Sequence, residues 1–132
     1  MADCRLIQSG AAFEGAHGLS YFAGIASETV GSQWICMHVL EIPPGAKAKA
    51  HFHEKHETAI YMLEGEAEML WGEKLQHKMV VRPGDLLYIP AGVPHLPYNS
   101  GTTVAKAVLA RTDPKVMEST VLCPELDEPV QA

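Results

Sequence analysis

The chain has 132 residues, of which 47% are hydrophobic and 20% charged, the size and composition of one ordinary globular domain with a core of its own. The formal net charge is -6 and Lys and Arg are scattered, so no basic stripe is available to neutralise phosphates; a small molecule, not nucleic acid, is the expected partner. No apolar run approaches a membrane span, and the opening "MADCRLIQSGAAFEGAHG" lacks the apolar stretch of a secretory signal, so a membrane partner is not expected either.

Long amphipathic helical periods are missing, whereas short β-rich runs punctuated by Gly, Pro and Asn recur from end to end, which predicts an all-β fold. In chain order the predicted strands are "LSYFAGI", "QWICMHVLEI", "KAHFH", "TAIYMLEG", "EAEMLWG", "LQHKMVV", "DLLYIP", "PHLPYN" and "TVAKAVLAR". Their spacing suits a sandwich or a barrel. Pro43-Pro44-Gly45, Glu64-Gly65-Glu66, Arg82-Pro83-Gly84-Asp85 and Pro90-Ala91-Gly92 supply the turns between apolar runs. Residues 112–132 read as an extended C-terminal arm with one short strand, "ESTVL", able to pack on its own barrel or on a neighbouring subunit. Cys4, Cys36 and Cys123 are far apart and none sits in a CxxC pair, which fits thiols in a reducing compartment and makes the cytoplasm the expected location.

The chemistry concentrates in "HFHEKHE", His51 to Glu57. Strand alternation sends His51 and His53 to one face and Phe52 to the other. Their Cα atoms would lie about 6.6 to 7 Å apart, close enough for both imidazoles to reach one ion. The flanks make this pair specific. From Gly45 the chain runs five residues to His51, one to His53, three to Glu57, and on to Gly65; from Gly84 it runs five residues to Pro90, one to Gly92, two to His95 and three to Asn99.

In these two stretches, 45–65 and 84–99, the chain resembles the cupin superfamily, whose motifs are G-x5-H-x-H-x3,4-E-x6-G and G-x5-P-x-G-x2-H-x3-N. The resemblance implies a single cupin domain over residues 1–132, folded as a double-stranded β-helix of jelly-roll type. It implies one divalent transition metal per chain, Fe, Mn, Zn, Ni or Cu, held by His51, His53, Glu57 and His95. The third ligand departs from the family pattern: the family's glutamate position is occupied by Thr58, with Glu57 one residue early and His56 two early. A one-residue slip turns a strand side chain to the opposite face. Glu57 is the expected ligand on its distance from His53, His56 is the alternative, and a three-histidine site completed by water is the third option.

Function follows from the resemblance only in outline. A mononuclear metal-dependent enzyme acting on a small organic molecule is expected, either a dioxygenase or an isomerase or lyase using Lewis-acid chemistry; the alternative is a non-catalytic cupin that binds or senses a small ligand. A homodimer is also implied, with the C-terminal tail as the candidate arm. Lys49 and Lys47 share the parity of His51 and would face the ligand if that strand stays in the barrel. Thr58, Ile60 and Met62 are inward candidates, and Trp34, Met37, Leu87, Ile89 and Leu96 are candidate lining residues. Tyr61 and Tyr88 are candidate proton or hydrogen-bond donors. His38 is read as a core histidine, and His17 and His77 as histidines of loop or strand-edge position without a role.

Overall fold

A computed structural model describes residues 3–15, 17–117 and 119–127, with Phe13 described by its backbone only. Among the described residues, eleven strands form two antiparallel sheets. The first sheet has the order β1 (Ala12–Glu14), β2 (Ser20–Ile25), β3 (Cys36–Ile42), β10 (Ala105–Arg111), β5 (Thr58–Glu64), β8 (Leu86–Ile89). The second has the order β11 (Thr120–Leu122), β4 (His51–His53), β9 (His95–Tyr98), β6 (Ala67–Trp71), β7 (His77–Val81). A one-turn helix, α1 (Ser27–Val30), follows β2, and a 3-10 turn at Pro124–Leu126 follows β11. All nine predicted strands are present. The strand β1 was not anticipated, because three residues are too short to show alternation.

The strands carry a period of two that sorts their side chains between the inside and the outside. In β10, Ala105, Ala107, Leu109 and Arg111 are buried while Lys106, Val108 and Ala110 are half-buried. In β5, Thr58 and Met62 are buried and the residues between them are more exposed. The main core gathers Leu19, Tyr21, Leu40, Ile42, Met62, Val81 and Leu109 between the sheets; each large aliphatic side chain buried this way contributes about 1.5–3 kcal/mol. A second cluster of Ala50, Leu75, Leu96 and Cys123 packs behind the second sheet.

The glutamate-glycine turn between β5 and β6 has a steric reason. Gly65 has φ +70°, and a Cβ there would lie 2.2 Å from the carbonyl oxygen of Val104, so only glycine lets β5 turn against the start of β10. The C-terminal arm folds back onto its own barrel: Thr120, Val121 and Leu122 pair with His53, Phe52 and His51, and the Asp127 carboxylate accepts a hydrogen bond from the Ala50 amide. Of the predicted strand "ESTVL", Glu118 lies outside the described residues. Among the described residues no helix is long and apolar enough to cross a membrane.

Candidate metal centre

Two strands of the second sheet build the centre. His51 on β4 and His95 on β9 are register partners, and the two-residue period places His53 on the same face as His51. One nitrogen from each of His51, His53 and His95 lies within 4.8 Å of the other two. All three side chains are buried.

Backbone carbonyls orient two of the rings. His51 Nδ1 donates to the Lys49 carbonyl at 2.6 Å and His95 Nδ1 donates to the Val93 carbonyl at 2.9 Å. Each bond assigns the proton to Nδ1 and leaves Nε2 as the nitrogen with a free lone pair, the arrangement in which histidine binds metals. His53 Nδ1 lies 3.2 Å from the Thr120 hydroxyl, so the C-terminal strand orients the third ring. Burial pushes His51 and His95 down to about 3, His51 helped by His17 and His95 by His51. His53 is lowered further, by burial first and by His95 second. The three rings are therefore neutral at physiological pH and available as ligands. Three neutral imidazoles suit a divalent ion with open positions on the cavity side.

Glu57 is not part of this group. Its side chain is exposed, and its carboxylate accepts a hydrogen bond of 2.6 Å from the Tyr88 hydroxyl. The reason is parity: Thr58 faces inward at the start of β5, so its neighbour faces out. His56 is buried, with its ring 4.5 Å from that of His53, but its Nδ1 is turned to Ser119 at 3.4 Å and Asp113 at 3.8 Å. Thr58 occupies the interior instead, its hydroxyl without a hydrogen-bond partner among the described residues.

A cavity of about 60 Å³ adjoins the three histidines. Thr58, Ile60, Met62, Leu87 and Ile89 line it, as expected. Leu96 packs into the second cluster, and Trp34 and Met37 are exposed, so these three do not line it. Tyr61 and Tyr88 are also exposed. Lys47 and Lys49 lie outside the barrel because the alternation breaks between Ala50 and His51, both buried. His38 is a core residue whose Nδ1 accepts from the Gly24 amide, and His77 stacks on Trp71 at the surface.

Two cavity residues, Tyr21 and Arg111, were not singled out in the sequence, and a third, His17, expected to have no role, lines the cavity as well. His17 is buried, its ring 4.7 Å from that of His51. Tyr21 and Arg111 line the same end of the cavity, and Arg111 Nη2 donates to the Tyr21 hydroxyl at 2.6 Å. The single usable signal was Arg111 at an inward position of "TVAKAVLAR", since a buried arginine is costly without polar company.

Residues 38–110, more than half of the chain, match the family of cupin domains. The chain belongs to the cupin family. This cupin is 33% identical to bovine (Bos taurus) 3-hydroxyanthranilate 3,4-dioxygenase over 69 residues, 51% of this chain and 24% of that enzyme. It is also 33% identical to an uncharacterized protein of Methanocaldococcus jannaschii over 79 residues, 60% of this chain and 61% of the relative. The chain thus spans about a quarter and about three fifths of the curated relatives it matches. Among solved structures, oxalate decarboxylase of Bacillus subtilis superposes with a TM-score of 0.69 at 21% identity, covering 87% of this chain and 30% of that one. At that identity the likeness shows the shared double-stranded β-helix.

Proposed function

We propose that this cupin is a mononuclear metal-dependent enzyme whose His51, His53 and His95 hold one divalent transition metal, and whose substrate is a small carboxylic acid. The observation that carries the reading is the convergence of three buried, neutral imidazoles, two of them with Nδ1 committed to a carbonyl. With no carboxylate in the set, a divalent ion keeps its full charge of two, which an anionic ligand offsets. The Arg111 guanidinium adds to the positive potential at His17, His51, His53 and His95. The cavity, of about 60 Å³, shares Met69, Ile89 and His95 with a second hollow of about 250 Å³, which supports a small organic ligand.

The metal would supply Lewis acidity or a site for oxygen chemistry. This chain's residues bind and orient the acid, and the apolar wall of Ile60, Met62, Leu87 and Ile89 excludes water. The Thr58 hydroxyl, buried in the cavity wall, would hydrogen-bond the bound ligand. Oxalate decarboxylase and the bovine dioxygenase are both named for small carboxylic acids, the first aliphatic and the second aromatic, and a carboxylate is what the two substrates share.

A homodimer is part of the same proposal. On the outer face of the first sheet, Met37, Ala110, Ala59 and Tyr88 form one cross-strand row, and Val39, Val108, Tyr61 and Leu86 form the next. Two apolar rows across four strands make a patch of the kind that pairs with a partner. The C-terminal strand is already spent on its own β4, so the sheet face replaces the arm as the expected interface. The three cysteines are thiols, which supports a cytoplasmic location.

Metal analysis of protein purified without chelator tests the reading. About one equivalent of a divalent transition metal is expected, together with turnover of at least one of oxalate, malonate or pyruvate, followed with and without oxygen. Less than about a tenth of an equivalent of any metal would sink it; full metal without turnover of any small acid would favour the binding cupin.

A further inference from the structure

The end of β6 stands beside the metal centre. Strand alternation turns Met69 and Trp71 to the same face, and register sets Trp71 opposite His95 of β9 on one side and opposite His77 of β7 on the other. Met69 lies opposite Met79. The His77 imidazole stacks on the Trp71 indole, with ring centres 4.3 Å apart and planes 29° apart, so the indole is braced from the solvent side. The loop before β9 is tied down at two points: the Gly92 amide donates to the His53 carbonyl at 2.8 Å, and the Gly72 amide donates to the Pro94 carbonyl at 3.0 Å. Both walls are therefore built before any ligand arrives.

Between these walls lies the hollow of about 250 Å³. Met69, Ile89 and His95, which it shares with the inner cavity, are buried, whereas Trp71, Met79, Pro90 and Val93 are half-buried and Tyr88 is exposed. The shared residues make the floor and the others the rim, so the hollow leads from the surface to His95. Among the described residues, no Asp, Glu, Lys or Arg lines it. A charged group seated there would lose its hydration with no opposite charge to replace it, and an apolar one would not. The inner cavity is the opposite case, with the three histidines and Arg111 in its lining.

We propose that the hollow seats an aromatic ring carried by the preferred substrate, and that Trp71 is the residue that selects for it. The placement of the carboxylate, in the inner cavity at the three histidines, rests on the metal-dependent reading above; the ring site does not. The lining chooses a ring over an alkyl chain, since the indole stacks or packs edge-on against an aromatic group and the thioethers of Met69 and Met79 make favourable contacts with one. Size agrees: an apolar cavity of about 150 Å³ takes up benzene, and the hollow exceeds that. The chemical class is a monocyclic aromatic carboxylic acid. Acids without an apolar body fill the inner cavity alone.

Two measurements on the full chain test this. In metal-loaded protein, benzoate should bind about tenfold tighter than acetate, because the ring adds contacts that acetate lacks. That ratio, taken within one protein so that any change in metal content cancels, should fall to about one in Trp71→Ala and in Met79→Trp, which fills the hollow, and Trp71→Phe should keep most of it. Cyclohexanecarboxylate binding as tightly as benzoate would overturn the choice of an aromatic ring. In chelator-treated protein carrying carbon-13 methionine methyl groups, toluene should shift the Met69 and Met79 signals saturably and leave exposed Met37 in place. Full metal with a benzoate-to-acetate ratio of one, or no saturable shift with toluene, overturns the ring site and leaves the metal reading standing. A saturable toluene shift in a protein that takes up no metal does the reverse.

Discussion

His51 and His95, more than forty residues apart in the chain, face each other across the β4–β9 pair with their ring centres 4.3 Å apart. Each gives its Nδ1 proton to a carbonyl two residues upstream, so each turns the opposite nitrogen toward the other. Removing either ring should therefore remove the metal. In His51→Ala and His95→Ala, metal content after desalting should fall by more than tenfold. In Glu57→Gln it should stay within about twofold of the parent, because that carboxylate is bonded to Tyr88 at the surface. A loss in Glu57→Gln as large as in His51→Ala would mean that the carboxylate turns inward when metal binds.

Thr58 offers the converse experiment. It is buried, it lines the cavity, and its β10 register partner is Arg111. Thr58→Glu restores a carboxylate at the position where the cupin motif has one. Metal affinity should rise by at least tenfold, since an anionic oxygen joins three neutral nitrogens. Affinity for small carboxylates should fall, because the new group competes for the same positive site. The larger side chain is expected to cost about 1–3 kcal/mol of stability by overpacking. Competition with a chromophoric chelator measures the first effect, and thermal unfolding the last.

Acid should unfold the metal-free protein. His17, His51 and His95 have folded values near 3 against about 6.5 unfolded. The folded state therefore binds fewer protons than the unfolded state between those limits, and stability falls as pH drops through that window. Each histidine contributes about 1.4 kcal/mol per pH unit there, so three together remove about 4 kcal/mol per unit. An unfolding midpoint near pH 5 is expected by circular dichroism, with a plateau above about pH 7. Unchanged stability down to pH 4 would show that the rings protonate without cost.

The outer sheet face predicts assembly. Tyr61 sits in the middle of its apolar row, between Val108 and Leu86, and is 42% exposed. Sedimentation should give a dimer for the parent chain at micromolar concentration. Tyr61→Lys should shift it to monomer without changing metal content, because the side chain points away from the cavity. A monomeric parent would leave this patch to some other partner.

Strand positions, turn positions and the three histidines that converge were legible in the sequence, because a period of two and fixed motif spacings are local properties of the chain. "KAHFH" places His51 and His53 together by pleat alone, and "GDLLYIPAGVPHLPYN" marks His95 as their partner by spacing. Parity also indicated that Thr58 and not Glu57 would face inward. It did not decide the case, since a bulge at the end of the "HEKHE" turn could have reversed it. Only the tertiary structure decided that: β5 begins at Thr58, without a bulge before its pairing to Ile89 and Arg111. The same holds for the other end of the cavity. His17, Tyr21 and Arg111 belong to a loop and two strands whose approach depends on sheet order, and β10 joins the β2–β3 pair only through long-range pairing with β3. Local pattern set which face each side chain takes. Long-range pairing set which side chains share the cavity, because hydrogen-bond direction and ring contact depend on distances that no spacing along the chain encodes.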